Sequence, residues 1–431
     1  MLFRIRWKVG ELLGWEDPDS GGRVGSAEVP RRSQRLWLRR LALAAVAVIL
    51  LAGALYGWAW LSTDSSTVAR ALMWMDADVG DQRRFPARQI PTGEHASRLP
   101  AGGEAELVAP DLDEDGGATV LDGLLRETDT RAFAVVHEDR LVYERYLGGS
   151  DRATLETSFS VAKSFVSTLV GIAIEEGLIG GTDDPVTDYL PELAERDPRF
   201  ERITLRHLLT MSSGLRYTES DFPWPRGDDT YTYYGVDLRQ VALERSEVER
   251  PPGQEWRYNN HNPLLLGLVL ERATGMSVSR YMASRLWQPL GAGSDATWSL
   301  DSERSGFEKM ESGLNATVVD YARFGLLYLH AGRVQGERVI PEDWVAAATA
   351  AQTSTDHDSR YGYLWWVDGE RPGNFYAFGN YGQYIYVAPD ADAVIVRAGS
   401  DWGVDNQTWL AIFRDITDQL AEHQIPRPAS G

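Results

Sequence analysis

The chain has 431 residues, of which 43% are hydrophobic and 25% are charged, an ordinary composition for a globular protein. It contains no cysteine, which excludes disulfides, thiol nucleophiles and thiolate metal sites. The formal net charge is −20, and such an acidic field opposes polyanion binding, so we expect no nucleic-acid partner. The length exceeds what one compact core usually needs, so extensions or an inserted subdomain are expected.

Residues 41–61 are an uncharged apolar stretch, long enough as a helix to cross roughly 30 Å of hydrocarbon. Arginines precede this stretch and three aromatic residues mark its far end. The positive-inside rule then predicts a cytoplasmic tail over residues 1–40 and a single-pass anchor in the cytoplasmic membrane, with the remainder periplasmic or at the cell surface. A cleaved signal peptide is the alternative, but Gly57-Trp58-Ala59 is a poor match to a small-x-small cleavage site.

After the anchor, residues 62–118 are rich in glycine, proline and acidic side chains. We interpret them as a tether with one short helix around residues 68–75. A single compact domain is expected over residues 119–424, followed by a C-terminal tail at 425–431.

Within that domain, apolar β-branched and aromatic residues predict strands and longer apolar stretches predict helices. Two strands joined by a turn are expected first, then a helix at 160–176 that ends at Gly177. The further expected elements are helices at 205–211, 238–245, 262–274, 278–286 and 317–329, strands at 375–378, 384–388 and 393–397, and a last helix at 406–423. Strands near both chain ends with helices between them predict an α/β (α+β) fold, in which helices flank an antiparallel sheet and a mainly helical subdomain is inserted.

Ser160 and Lys163 form a Ser-x-x-Lys pair at the start of the predicted helix, and positions three apart lie on one helix face. Burial lowers the pKa of an ammonium, and a neutral amine beside a hydroxyl is a general base beside a nucleophile. Lys163 is one of only three lysines in the chain, and the more common arginine could not give up its proton. The structural alternatives are a Ser160 helix cap and an exposed Lys163.

Two further motifs follow this pair. Tyr258-Asn259-Asn260 precedes a predicted helix, and Asn380-Tyr381-Gly382-Gln383 precedes a predicted strand. Tyr258 as a core aromatic residue and Gly382 as an ordinary turn glycine remain alternatives. The histidines show no ligand spacing, so no metal and no cofactor is expected. The sequence has no Gly-x-Ser-x-Gly elbow, which argues against an α/β-hydrolase.

The order of these motifs resembles the serine β-lactamase and penicillin-binding-protein family, most of all the esterases and 6-aminohexanoate-dimer hydrolases related to class C β-lactamases. The resemblance covers roughly residues 119–420 and includes the segments at 208–214, 313–317 and 382–387. It implies a β-lactamase/transpeptidase-like fold and a serine acyl-enzyme.

The resemblance also implies roles for the site residues. Ser160 would attack a carbonyl, Lys163 would accept its proton, and Tyr258 would pass a proton to the leaving group. Asn260 would hold Lys163 and the substrate. The backbone N–H groups of Ser160 and Gln383 would form the oxyanion hole, where one donor is worth roughly 2.7–4 kcal/mol of barrier.

Asn380 departs from the family pattern, in which Lys-Thr-Gly or a His-x-Gly or Trp-x-Gly variant occupies the third motif. Asn380 and Gly382 are the predicted substrate-binding residues of this motif. A cation at the first position helps to bind the carboxylate of penicillins, so the neutral Asn380 favours a small ester or amide without that group. We therefore predict a membrane-anchored extracytoplasmic serine hydrolase. A cell-wall D,D-peptidase or β-lactamase is one alternative. A non-catalytic sensor or scaffold that binds wall fragments is another, although the cytoplasmic tail is short for signalling.

Overall fold

The structure is a computed structural model that describes residues 31–94, 99–103, 105–110, 118–220, 227–354 and 360–422. The predicted C-terminal tail and the first thirty residues of the predicted cytoplasmic tail lie outside these ranges. The chain divides into two compact units, Met1–Trp58 and Ala59–Gly431.

The described helices vary from a single turn to a span long enough for a membrane. They are α1 (Arg31–Leu61), α2 (Thr67–Trp74), α3 (Leu121–Glu127), α4 (Ala162–Glu175), α5 (Pro191–Arg196), α6 (Leu205–Leu209), α7 (Asp228–Tyr234), α8 (Leu238–Gln240), α9 (His261–Thr274), α10 (Val278–Met282), α11 (Val318–Leu329), α12 (Glu342–Thr349) and α13 (Asn406–Glu422).

The described strands are mostly short. They are β1 (Ala87–Ile90), β2 (Val108–Pro110), β3 (Ala118–Val120), β4 (Thr130–His137), β5 (Arg140–Tyr146), β6 (Glu156–Thr157), β7 (Ala296–Ser299), β8 (Leu314–Ala316), β9 (Arg333–Val334), β10 (Glu337–Arg338), β11 (Thr353–Ser354), β12 (Arg360–Tyr361), β13 (Trp366–Val367), β14 (Phe375–Gly379), β15 (Gln383–Ala388) and β16 (Ala393–Gly399).

One eight-stranded antiparallel sheet organises the second unit, in the order β11-β12-β13-β14-β15-β16-β4-β5. The C-terminal strand β16 pairs with the N-terminal strand β4 from Ala393↔His137 to Gly399↔Thr130. The predicted antiparallel sheet built from both chain ends is thereby confirmed.

Helices cover both faces of this sheet because its strands alternate apolar side chains between two cores. Ala134 and Val136 of β4 face a core that includes residues of α4, α9 and α11. Phe133 and Val135, from the same strand, face the core that contains Trp409 of α13. Successive side chains of a strand point to opposite faces, so a strand that is buried on both faces contributes alternate residues to the two cores.

A second sheet, of four strands in the order β1-β7-β8-β6, joins the N-terminal segment to the domain. β1 pairs with β7 over its whole length, and α2 contacts α7. The predicted short helix at 68–75 is therefore present as α2. However, the segment interpreted as a tether packs into the compact unit that begins at Ala59, well before the predicted boundary at Thr119.

Among the described residues, the first unit contains the part of α1 from Arg31 to Trp58, and the last turn of α1 belongs to the second unit. The part of α1 from Leu36 to Leu61 has a mean hydropathy of 2.2 and is long and apolar enough to cross a membrane. A signal sequence would have the same properties, so the helix is a candidate span.

Candidate active site

The proposed nucleophile lies in a strained turn directly before α4. Ser160 occupies a single 3₁₀ turn, Phe159–Val161, and the Phe159 backbone has φ of +42°. That left-handed conformation is uncommon outside glycine and is stored most often at functional sites. The turn is fixed from the other side by the Ser158 N–H, which donates to the Leu314 carbonyl at 2.8 Å.

Lys163 lies one helical turn further on, with its amine in contact with the Ser160 hydroxyl. Lys163 Nζ is 2.9 Å from Ser160 Oγ and donates to the Glu311 carbonyl oxygen at 2.8 Å. The side chain is buried, with 1% of the residue exposed. Burial lowers the pKa of Lys163 to about 7, although the charge of Glu311 raises it in part. Near neutral pH a large fraction of this amine is therefore uncharged.

Tyr258 completes a three-residue cluster. Lys163 Nζ is 5.0 Å from the centre of the Tyr258 ring, and the phenol is close enough to Ser160 for the two to interact. Burial raises the pKa of Tyr258, and the interaction with Ser160 lowers it only in part. The ring stacks on Trp366 with a centroid distance of 6.1 Å, which fixes its orientation. A neutral phenol in this position can relay a proton between Ser160 and a leaving group.

Asn260 lies close in sequence but contacts a different partner. Its Nδ2 donates to the Tyr217 hydroxyl at 2.9 Å, and its Oδ1 is buried without a hydrogen-bond partner among the described residues. The Lys163 amine is held by the Glu311 carbonyl, where the resemblance assigned that task to Asn260.

The third motif places a different glycine beside the nucleophile. A Cβ at Gly379, the last residue of β14, would lie 2.9 Å from Ser160 N and 2.5 Å from the Ser158 carbonyl oxygen. Only glycine fits this approach of strand to turn. Gly382, which the sequence motif singled out, has φ of +71° and packs against the Arg397 side chain.

The remaining residues of this motif brace the turn between β14 and β15. The Gln383 side chain is buried and donates to the carbonyl oxygens of Gly399 at 2.7 Å and Asn380 at 3.1 Å. Arg397 lies beneath the turn and donates to the Gly382 carbonyl oxygen at 2.8 Å and to the Tyr381 carbonyl oxygen at 3.1 Å. Asn380 is exposed at the tip of the turn.

Glu311 is a site residue that the motifs did not reveal. Its carbonyl binds Lys163, while its Oε1 accepts from Lys309 Nζ at 2.9 Å and from the Ser312 hydroxyl at 2.7 Å. Lys309 is also buried, with its ammonium 4.1 Å from the Tyr233 ring centre. Both lysines of the second unit thus converge on one glutamate. The scarcity of lysine was the available signal for Lys309.

Of the aromatic residues considered as cleft lining, some do lie at the site. Tyr233 stacks near Phe159 at 6.5 Å, and Trp366 contacts Tyr258. Trp365, by contrast, is fully buried and packs against Phe324 in the core.

The N-terminal segment forms part of the site's rim. The Tyr381 hydroxyl donates to the Ala77 carbonyl oxygen, and the Tyr381 ring lies 5.4 Å from that of Phe159. On the same side, the Tyr233 hydroxyl donates to Asp81 at 3.0 Å. Through Tyr381, the segment just after α2 is therefore connected to Phe159, the residue that precedes Ser160.

Comparisons with known proteins agree with this geometry. A family model described as Beta-lactamase matches residues 121–408. The chain is 30% identical over 349 residues to the 6-aminohexanoate-dimer hydrolase of Paenarthrobacter ureafaciens, which covers 76% of this chain and 86% of that protein. It is also 32% identical over 191 residues to Esterase EstB of Burkholderia gladioli, over 40% of this chain and 48% of the esterase.

Solved structures share the fold of this chain. A Bacillus anthracis structure assigned as a 6-aminohexanoate-dimer hydrolase superposes with a TM-score of 0.71 at 25% identity, over 80% of this chain and 92% of that chain. A penicillin-binding protein from Bacillus halodurans shares the fold with a TM-score of 0.55 at 17% identity, over 68% of this chain and 98% of that chain.

Fold and comparisons define a serine hydrolase of the β-lactamase/transpeptidase-like class. More particularly, the chain belongs to the Beta-lactamase family.

Proposed function

We propose that the protein cleaves a small ester or amide through an acyl-enzyme on Ser160. The contact that carries this proposal is the 2.9 Å approach of the buried Lys163 amine to the Ser160 hydroxyl. A buried amine with a pKa of about 7 is matched to proton transfer near neutral pH. Burial lowers that pKa, and the charge of Glu311 raises it in part.

The same geometry supports a division of roles. Neutral Lys163 accepts the Ser160 proton as the hydroxyl attacks the substrate carbonyl, while the Glu311 carbonyl holds the amine in place. Tyr258 then passes a proton to the leaving group and later helps to activate the hydrolytic water.

The oxyanion hole in this proposal uses the Ser160 N–H and the amide that follows Gly379, which belongs to Asn380. Gly379 is the residue that approaches Ser160 N, whereas the Gln383 side chain braces the turn. This replaces Gln383, the second donor that the resemblance implied. Each such donor is worth roughly 2.7–4 kcal/mol of barrier.

The substrate is proposed to lack the carboxylate of penicillins. Asn380 and Ala377, which lies two residues before Gly379, are both neutral. The Arg397 guanidinium beneath the turn already donates to the carbonyl oxygens of Tyr381, Gly382 and Thr128. The names of the matched relatives, a 6-aminohexanoate-dimer hydrolase and an esterase, point to the same substrate classes.

We propose that α1 is retained as a single-pass anchor and that the hydrolase unit lies outside the cytoplasm. The hydropathy of α1 and the arginines that precede its apolar part support this orientation.

The test compares Ser160→Ala with Ser167→Ala in the full chain purified in detergent. Ser167 Oγ lies in the same helix, is buried and has no hydrogen-bond partner among the described residues, so its loss should leave turnover unchanged. Wild type and Ser167→Ala should hydrolyse p-nitrophenyl acetate and the linear 6-aminohexanoate dimer or related amides with a burst of product. Full turnover by Ser160→Ala on every ester and amide would disprove the proposal.

Two further probes separate the alternatives. A fluorescent penicillin should fail to label Ser160, whereas stable labelling with turnover of a chromogenic cephalosporin would favour the D,D-peptidase or β-lactamase reading. Stoichiometric acylation without any turnover would instead favour a non-catalytic sensor.

A further inference from the structure

Helix α2 exposes apolar side chains and buries a charged one, which is the reverse of what a helix on a water-exposed surface usually does. Its apolar residues Val68 and Leu72, together with Met75 at its C-cap, are 38%, 50% and 58% exposed. Their spacing of i, i+4 and i+7 places them in one stripe. On the opposite side, the charged residue Arg70 is only 1% exposed.

The buried side of α2 is firmly attached to the domain. Arg70 Nη1 donates to the Asp301 carbonyl oxygen at 2.7 Å, and Arg70 Nε donates to the Thr63 carbonyl oxygen at 3.0 Å. Trp74 packs edge-on against Phe85 with a centroid distance of 4.9 Å. The stripe therefore cannot turn inward without breaking these contacts, and it needs an apolar surface outside the domain.

The position of α2 along the chain indicates which surface that is. The candidate membrane span ends at Leu61 and α2 begins at Thr67. Six Cα–Cα steps extend at most about 20 Å, so the stripe cannot be far from the membrane that the span would cross.

Hydrogen bonds also connect the end of the stripe to aromatic residues beside the candidate active site. The Met75 carbonyl accepts from the Tyr234 hydroxyl at 2.7 Å, and the Ala77 carbonyl accepts from Tyr381 on the site's rim. Beyond Tyr381 lies Trp402, which is 38% exposed and 6.3 Å from the Tyr381 ring. Tryptophan and tyrosine are the side chains that favour the membrane–water interface.

We propose that the stripe formed by Val68, Leu72 and Met75, with Trp402, lies in the lipid interface of the membrane that α1 spans, so that Ser160 receives amphiphilic esters or amides from that interface. This inference rests on the proposed retention of α1 and on the proposed hydrolysis at Ser160. It adds the substrate class, a molecule with an apolar tail in the bilayer and its scissile carbonyl at the surface.

The absence of cysteine allows a direct depth measurement. The full chain is reconstituted into phosphatidylcholine vesicles with one environment-sensitive fluorophore on Leu72→Cys. The matched control is Leu178→Cys, at an apolar residue that is similarly exposed (41%) but belongs to no part of the stripe. Nitroxide-labelled lipid should quench the Leu72 probe and not the Leu178 probe, and aqueous iodide should do the reverse.

Three outcomes overturn the proposal. Equal quenching of both probes by iodide would leave the stripe in water. Shielding of the Leu72 probe from both quenchers would indicate a protein partner, such as a second copy. Release of the hydrolase unit without α1 would remove the anchor on which the inference rests.

A kinetic arm uses Leu72→Glu with Leu178→Glu as control. Turnover of vesicle-embedded p-nitrophenyl palmitate should fall about tenfold in Leu72→Glu, roughly the effect of removing one buried leucine side chain. Turnover of soluble p-nitrophenyl acetate should be unchanged in both variants. Equal rates of Leu72→Glu and wild type on the embedded ester would contradict the proposal. Loss of acetate hydrolysis in wild type would instead disprove the function at Ser160, while the quenching result would still report on the interface.

Discussion

Lys163 and Lys309 lie on the two sides of Glu311 and differ in what each one meets there. Lys163 donates to the backbone carbonyl of Glu311, contacts the Ser160 hydroxyl and lies over the Tyr258 ring, all of them neutral groups. Lys309 contacts the Glu311 carboxylate at 2.9 Å and two aromatic rings. Burial lowers the pKa of both amines, and the charge of Glu311 raises both in part. Lys309 bonds the Glu311 carboxylate directly, whereas Lys163 bonds its backbone carbonyl. We infer that a buried lysine acts as a base when the acceptors that it contacts directly are neutral.

Substitution by arginine should affect kcat far more at Lys163 than at Lys309. Lys163→Arg should lower kcat on p-nitrophenyl acetate by about 10²–10⁴-fold, because arginine cannot act as the proton acceptor. Lys309→Arg should keep kcat within a few-fold, since its charge can still pair with Glu311. Rates are normalised to the folded fraction measured by circular dichroism. Equal losses in the two variants would contradict the division of roles.

The second effect separates the two lysines by stability. Lys309→Met leaves the buried Glu311 carboxylate without its counter-ion, and the free energy of unfolding should fall by about 3–5 kcal/mol. Urea denaturation of the full chain in a mild detergent measures it. A variant as stable as wild type would show that the Lys309–Glu311 pair is not the structural element of this comparison.

A change of stability with the opposite sign is expected at Lys163. Lys163→Met should raise the free energy of unfolding by about 1–4 kcal/mol at pH 7, because it removes a buried amine whose charged form the fold disfavours. The folded pKa of Lys163, about 7, lies below that of a free lysine, 10.5. The folded state is therefore penalised increasingly as pH falls from 10 to 7, and the gain from methionine should be smaller at pH 10. A gain that does not depend on pH would argue against burial of a titrating amine.

The smallest effect concerns the pH profile. In wild type, kcat/KM should rise with pH through about 7, as Lys163 loses its proton. The Glu311 charge raises the pKa of Lys163, so Glu311→Gln should move that rise to lower pH. The measurement is kcat/KM between pH 5 and pH 9 at constant ionic strength. A shift to higher pH would mean that Glu311 acts on Lys163 by some route other than its charge.

The periodicity of the sequence was sufficient to predict the sheet and most helices, because alternating and helical patterns bury well-defined faces. Predicted strands at 375–378, 384–388 and 393–397 occur as β14, β15 and β16 within a residue or two at each end. The second sheet was not predicted, since β1 and β6–β8 are two to four residues long and carry too few residues to show a period.

The parts of the candidate site that depend on side chains could be predicted from the sequence. The parts that depend on backbone atoms could not. Ser160, Lys163 and Tyr258 were found from their residue types and spacing, and the structure brings the three together. Glu311 holds Lys163 through a carbonyl oxygen, which every residue type possesses. The choice between Gly379 and Gly382 depends on which one approaches Ser160, and no local pattern encodes that distance.

The pairing of β4 with β16 has a consequence for biosynthesis. The strand that carries Gly379 to Ser160 belongs to the C-terminal part of the sheet, so the two meet only after nearly the whole chain has been made. Contacts this distant in sequence form late and slowly during folding. A nascent chain on the ribosome therefore carries Ser160 without Gly379 beside it, so in the proposed mechanism hydrolysis begins only after synthesis and folding are complete.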